Sequence, residues 1–205
     1  MPRRPDIPPL AAADLDPDPI EQFRTWFAEA ESEAPLAEAV ALATVDGEGL
    51  PDARMVLLKG FGPDGFRFFT NYGSAKALQL DAGGAAALIA YWRELDRQVR
   101  VRGTVERLGA EDSDAYFATR PRDSQLGAWA SPQSRPLESR AELDTRLAEA
   151  TERYDGGAVP RPAHWGGYRL RPRSIEFWQG QVARLHDRFR YARDGEGWRI
   201  ERLAP

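Results

Sequence analysis

Between Ala39 and Leu108 the chain offers five apolar segments separated by turn signals, and that run restricts the fold more than any other feature. AVALATV ends at Asp46-Gly47-Glu48-Gly49, and ARMVLLKG is followed by Gly62-Pro63-Asp64-Gly65. FRFFTN, AAALIAYW and RQVRVRGTVERL come next. In the last segment Val99, Val101 and Val105 share one side, the period of a strand with one face on a core. Short Gly-rich turns join neighbouring strands as hairpins. Five strands in about 70 residues therefore predict an antiparallel barrel or closed meander.

The flanks add helices, so the fold class expected is mainly β with flanking helices (α+β). Residues 1–17, rich in Pro, Asp and Ala, predict a flexible arm, and 18–205 a single domain. Asp18 caps a predicted helix with Pro19 at its first position. Ile20, Phe23, Trp26, Phe27 and Ala30 fall on one face of it. Ser74 starts a short helix that runs to about Leu80. A helix is predicted over 111–119, and a polar one over 138–154 that ends at Gly156-Gly157. RPRDSQLGAWASPQSRPL between them reads as an irregular, functional loop. Strands are expected near 166–170, 174–179, 189–193 and 198–203.

Composition excludes several classes. Of 205 residues 42% are hydrophobic, enough for a core, and the net charge of −4 argues against a general nucleic-acid binder. The absence of cysteine rules out a disulfide, a thiolate nucleophile and a Cys-ligated metal, and no His-rich metal spacing exists. No apolar run approaches the roughly 20 residues of a membrane span, and no signal peptide is legible. A soluble, cytoplasmic protein is expected. The 28 cations include only two lysines, Lys59 and Lys76, so those sites stand out as needing a compact ammonium.

Four constellations carry candidate chemistry. In Arg54-Met55-Val56-Leu57-Leu58-Lys59 the strand period places Arg54 and Lys59 on opposite faces unless the strand bends, where they serve two anions or simply end a barrel strand. Phe69-Thr70-Asn71 followed by Ser74 and Lys76 makes either an anion site at a helix start or plain capping by Ser74. Tyr116 and Arg120, neighbours on one helical face, join Ser124 as donors to phosphate oxygens, or mark a surface helix end. EFWQGQVARLHDR (176–188) joins aromatic rings to Arg184, His186 and Arg188, which suits a planar anionic ligand or a salt-bridged surface loop. Gln98, Gln133 and Ser134 add neutral polar groups suited to a heterocycle edge. His164 reads as structural.

Together, RMVLLK, FTN with SAK, LDRQVRVRG, YFATRPRDSQLGAWASPQS, WGGYR, EFWQG, RLHDR and the terminal RLAP resemble the pyridoxamine 5′-phosphate oxidase family. The resemblance runs from about residue 18 to the C-terminus. It implies an FMN-binding split barrel that works as a homodimer, with FMN in the interface. FMN contacts would come from Arg54 through Lys59, Phe69, Thr70, Lys76, Gln98, Gln133, Ser134, Trp178 and Arg188. The substrate would be held by Lys59, Tyr116, Arg120, Ser124, Arg184, Leu185 and His186, with Arg184 and His186 over its ring as the catalytic pair. The implied reaction oxidises pyridoxamine or pyridoxine 5′-phosphate with O2 to pyridoxal 5′-phosphate and hydrogen peroxide, releasing ammonia from the amine. FMN, not FAD, is expected, because the site ends in a monophosphate clamp at Lys76.

Two departures from the family pattern stand out. Ala75 occupies a position where relatives often carry Arg, and MPRRPDIPPL has no Tyr to close over substrate. Other readings are a related flavin oxidase acting on a phenazine precursor, and a flavin- or haem-binding split barrel without turnover.

Overall fold

The computed structural model describes residues 8–205. Eight strands form one antiparallel sheet: β1 (Ala39–Val45), β2 (Pro51–Gly62), β3 (Gly65–Asn71), β4 (Ala85–Trp92), β5 (Arg97–Arg107), β6 (Trp165–Gln179), β7 (Asp187–Asp194) and β8 (Gly197–Arg202). The order is β3-β2-β1-β4-β5-β6-β7-β8, and β3 also pairs with β6. That extra pairing closes six strands into a barrel, and β7 and β8 extend the sheet from the second half of β6, with Phe189 and Tyr191 of β7 in the main core. The predicted barrel is present.

The strands that were expected separately at 166–170 and 174–179 are one strand. Its first half closes the barrel through Phe66–Leu170 and Asn71–Trp165 pairs, and its second half carries β7. Pro172 is accommodated opposite a register shift between Arg102 and Gly103. A Cβ at Gly103 would lie 1.8 Å from the Arg171 carbonyl oxygen, so the close approach needs glycine. Pro is tolerated in a sheet at such irregularities.

Alternation fills the barrel. Val40, Leu42, Phe66, Phe68, Leu88, Val99, Val101, Leu170, Ile175 and Phe177 are all buried inside. Helix α1 (Pro19–Glu33) plugs one end, with Asp18 accepting from the Ile20 amide at 2.8 Å as its cap. Phe23 meets Phe61 and Phe66 edge-on at 4.8 and 5.0 Å, and Trp26 meets Phe177 at 5.1 Å. Helix α2 (Ala75–Gly83) lies between β3 and β4. Helices α3 (Ala110–Thr119), α4 (Arg122–Ala130) and α5 (Arg140–Arg153) build a smaller core from Phe117, Leu126, Ala150, Val159 and Trp165.

Three expectations need correction. The segment expected to be irregular contains α4. Its sequence is a poor helix former, but tertiary contacts fix it: Gln125 Nε2 donates to the Phe117 carbonyl, and Trp129 Nε1 to that of Pro160. Ser74 occupies the N-cap position of α2 without capping it by its side chain, because its Oγ donates to the Asn71 carbonyl instead. Of the arm expected to be flexible, residues 1–7 lie outside the described residues, while 8–17 are docked. Leu10 and Leu15 are buried, the Leu10 amide donates to Asp187 Oδ2 at 2.9 Å, and Tyr191 Oη donates to the Asp16 carbonyl at 2.7 Å. Among the described residues no helix is long and apolar enough to cross a membrane.

Candidate active site

A cleft of about 530 Å³ opens where β2, β3, α2 and the α3–α4 turn converge. Its walls hold three of the four sequence constellations in part. From β2 come Met55, Val56, Leu57 and Lys59; from β3, Phe69 and Thr70; from α2, Lys76. From the helical side come Tyr116, Arg120 and Ser124, with Gln133 beyond α4. Thr119, Pro121 and Trp165 also line it, although nothing in their sequence spacing marks them individually. Trp165 was legible only as a member of the WGGYR motif.

One end of the cleft is built around Lys76. Its Nζ donates to Gln133 Oε1 at 2.8 Å and to Thr70 Oγ1 and Ser74 Oγ, both at 3.3 Å. All three partners are neutral. Burial, and then the nearby Arg54 cation, push the Lys76 pKa down, with Asp52 partly opposing. An ammonium in this setting gains from a bound anion.

The other end is built around Arg120. Burial lowers its pKa, and Tyr116 opposes that. Its guanidinium lies 4.7 Å over the Trp165 ring, and its NH1 is buried without a hydrogen-bond partner. Tyr116 stacks on Phe69 at 3.9 Å, and Phe69 on Trp165 at 5.6 Å, so an aromatic ladder holds this wall. Burial raises the Tyr116 pKa, which keeps the phenol protonated as a donor. Lys59 pairs with Glu38 at 3.6 Å at the wall.

Arg54 and Lys59 do sit on opposite faces of β2. Arg54 points toward β1 and α2, where NH1 donates to Thr44 Oγ1 at 2.5 Å and to the Leu42 carbonyl at 3.2 Å. It is absent from the cleft wall. Leu58 points into the core, so only its backbone is available to a ligand.

The remaining candidates form a second group on the outer face of β5, β6 and β7. Gln98 pairs with Trp178, and Trp178 with Arg188, in one cross-strand row. The Trp178 and His186 rings are 4.6 Å apart, and His186 Nδ1 accepts from the Gln181 amide at 3.1 Å. Arg188 donates to Glu176 and to the Ala204 carbonyl, and Arg100 also pairs with the buried Glu176. Leu185 is 68% exposed and Arg184 is exposed beside it. None of this group lines the cleft. Ser134, with a left-handed φ of 70°, is exposed next to Gln133 and also off the wall. His164 Nε2 meets the Ala128 carbonyl at 3.0 Å, a structural contact. No metal-competent group of His, Cys, Asp or Glu exists among the described residues.

This architecture has relatives. The family model described as pyridoxamine 5′-phosphate oxidase matches residues 27–154. The chain belongs to the pyridoxamine 5′-phosphate oxidase family. A second model, the C-terminal dimerisation region of pyridoxine 5′-phosphate oxidase, matches 165–205. A pyridoxine/pyridoxamine 5′-phosphate oxidase of Rubrobacter xylanophilus is 60% identical over 96% of this chain and 91% of its own. One from Paraburkholderia phytofirmans is 53% identical over 96% and 93%. Among solved structures, PhzG from Burkholderia lata, in complex with tetrahydrophenazine-1-carboxylic acid, superposes with a TM-score of 0.90 at 32% identity, covering 98% of each chain. An FMN-binding protein from Nostoc punctiforme shares the fold, with a TM-score of 0.73 at 19% identity over 93% of this chain and 100% of its own.

Proposed function

We propose that the chain is an FMN-dependent oxidase of pyridoxamine or pyridoxine 5′-phosphate, forming pyridoxal 5′-phosphate. The observation that carries this reading is the buried, unpartnered NH1 of Arg120 in the same cleft as the Lys76 clamp. One cleft thus has two separated anion sites. A flavin ending in a phosphate and a substrate bearing its own phosphate use both.

The donor sets fit those groups. Lys76, Thr70 and Gln133 would hold the FMN phosphate, with Arg54 behind them. Arg120, Tyr116, Ser124 and Lys59 would hold the substrate phosphate through charge-assisted bonds and a neutral phenol. Four donors suit a phosphate dianion better than the carboxylate of a phenazine precursor, which separates this reading from that suggested by the PhzG likeness. When bound, FMN supplies a two-electron acceptor that dioxygen regenerates with release of hydrogen peroxide. The protein's part is orientation: Arg184 and His186 would set the substrate's exocyclic carbon for hydride loss, and a proton leaves its amine or hydroxyl. Water hydrolyses the resulting imine and releases ammonia.

Arg184, His186, Trp178 and Arg188 do not line their own chain's cleft, so the reading includes a homodimer in which they complete the partner's site. The outer face of β2 and β4 supports it. Met55, Leu57 and Tyr91 are 64%, 44% and 56% exposed there, an apolar surface a second copy would cover. Light scattering at micromolar concentration is expected to give about twice the chain mass of 22.9 kDa. A monomer that binds FMN and turns over would end the shared-site model.

The direct test mixes purified protein with pyridoxamine 5′-phosphate and measures peroxide and the 4′-aldehyde, which should form together. The flavin released on denaturation should run as FMN on chromatography. Turnover of a phenazine-type substrate but of neither B6 phosphate would favour the other oxidase reading, and released FAD would contradict the phosphate clamp.

A further inference from the structure

Gln79 lies on α2 three residues beyond Lys76, and both ends of its amide are engaged. Its Oε1 accepts from Thr44 Oγ1 at 2.5 Å and from Arg54 NH2 at 3.1 Å, while Nε2 donates to Asp52 at 3.4 Å. Thr44 is 2% exposed, so its single hydroxyl proton is committed to Gln79 and its lone pair to Arg54 NH1. Arg54 is also ion-paired with Asp52. The network ties β1, β2 and α2 together around one guanidinium. Arg54 is thereby held close enough to Lys76 to disfavour its charge. Ala75 supplies no cation at the start of α2, so Arg54 is the second positive group beside Lys76.

Two like charges fixed on rigid elements and oriented by a neutral amide form a preorganised anion site. A carboxylate at position 79 would also accept from Arg54 but would add a second negative charge to that of Asp52 and cancel the field of the guanidinium. We propose that Gln79 is a positioning residue that holds the Arg54 charge behind Lys76 and so sets affinity for the terminal phosphate of the flavin. The proposal rests on the FMN reading above.

The test compares FMN with riboflavin, which has the same ring and no phosphate, by fluorescence titration of apoprotein. Gln79→Leu should weaken FMN about 5- to 20-fold, a part of the effect of losing one charge-assisted phosphate contact, and leave riboflavin within about twofold. In an Arg54→Leu background, Gln79→Leu should cost nothing further. If Gln79→Leu does not fold, Gln79→Glu keeps both acceptor bonds. It should again weaken FMN selectively, through its charge. Parallel loss of FMN and riboflavin, or no loss of either, would overturn the proposal, because a merely structural amide cannot discriminate a phosphate. Failure of the parent protein to bind FMN would instead refute the cofactor reading itself.

Discussion

Arg184→Ala is expected to lower kcat by about 10²- to 10³-fold, the usual loss when one preorganised donor to developing charge is removed. Among the described residues Arg184 makes no hydrogen bond or ion pair, and it is exposed. Truncating it therefore removes no intrachain side-chain hydrogen bond or ion pair, and stability should stay within about 0.5 kcal/mol of the parent. Its backbone is unusual. Ala183 and Arg184 have φ of 54° and 64°, two consecutive non-glycine residues in the left-handed region. Each costs about 1–2 kcal/mol and persists only where neighbours over-determine it. The determinants are visible. The Gly180 amide donates to the Asp96 carbonyl at 2.8 Å, the Leu185 amide to Val182 at 3.1 Å, and a Cβ at Gly180 would lie 2.0 Å from the Asp96 carboxylate.

A loop bent at this expense to present a free guanidinium is consistent with orientation of a reacting group. Steady-state kinetics with pyridoxamine 5′-phosphate decide the matter. An interaction made mainly in the transition state lowers kcat and kcat/KM together. A raised KM with unchanged kcat would make Arg184 an anchor only.

The barrel was legible because its signal is local. Alternating Val99, Val101 and Val105, and turns at Asp46–Gly49 and Gly62–Gly65, each state their own conformation. What was missed depends on distant partners. Leu10 and Leu15 look like incidental apolar residues in a Pro-rich arm, yet their sites lie near Asp187 and Tyr191, more than 170 positions away. Pro172 falls in the gap between the strands expected at 166–170 and 174–179, and the register shift that lets one strand run through it is on β5. Helix α4 carries Gly127 in its middle and owes its form to α3 and to the chain around Pro160.

The candidate site divides in the same way. Residue types and strand parity placed Arg54 opposite Lys59, and helical spacing put Tyr116 beside Arg120. Neither could show that Trp165 would back the guanidinium, since that contact needs β6 to close on β3. Nor could spacing show that the 184–188 group lies apart from the cleft, because the two stand on different strands of a curved sheet.

Arg120→Ala should raise KM for the B6 phosphate about 10- to 150-fold, the loss of one charge-assisted bond to phosphate, with flavin content unchanged. The same substitution should leave the apoprotein no less stable. Arg120 is a half-buried cation with an unpartnered nitrogen, which the free protein must desolvate without full compensation. Its stacking over Trp165 and Phe117, at 4.7 and 5.5 Å, offsets a part of that. Removing the charge removes both terms, so a large functional loss comes with little or no change in the urea midpoint. Ligand linkage supplies an independent reading. Inorganic phosphate should stabilise the parent by RT ln(1 + [L]/Kd) and so raise its midpoint more than that of the variant. If Arg120→Ala instead loses flavin and keeps its substrate KM, the two phosphate sites have been assigned the wrong way round. The cleft then binds FMN at the Trp165 end.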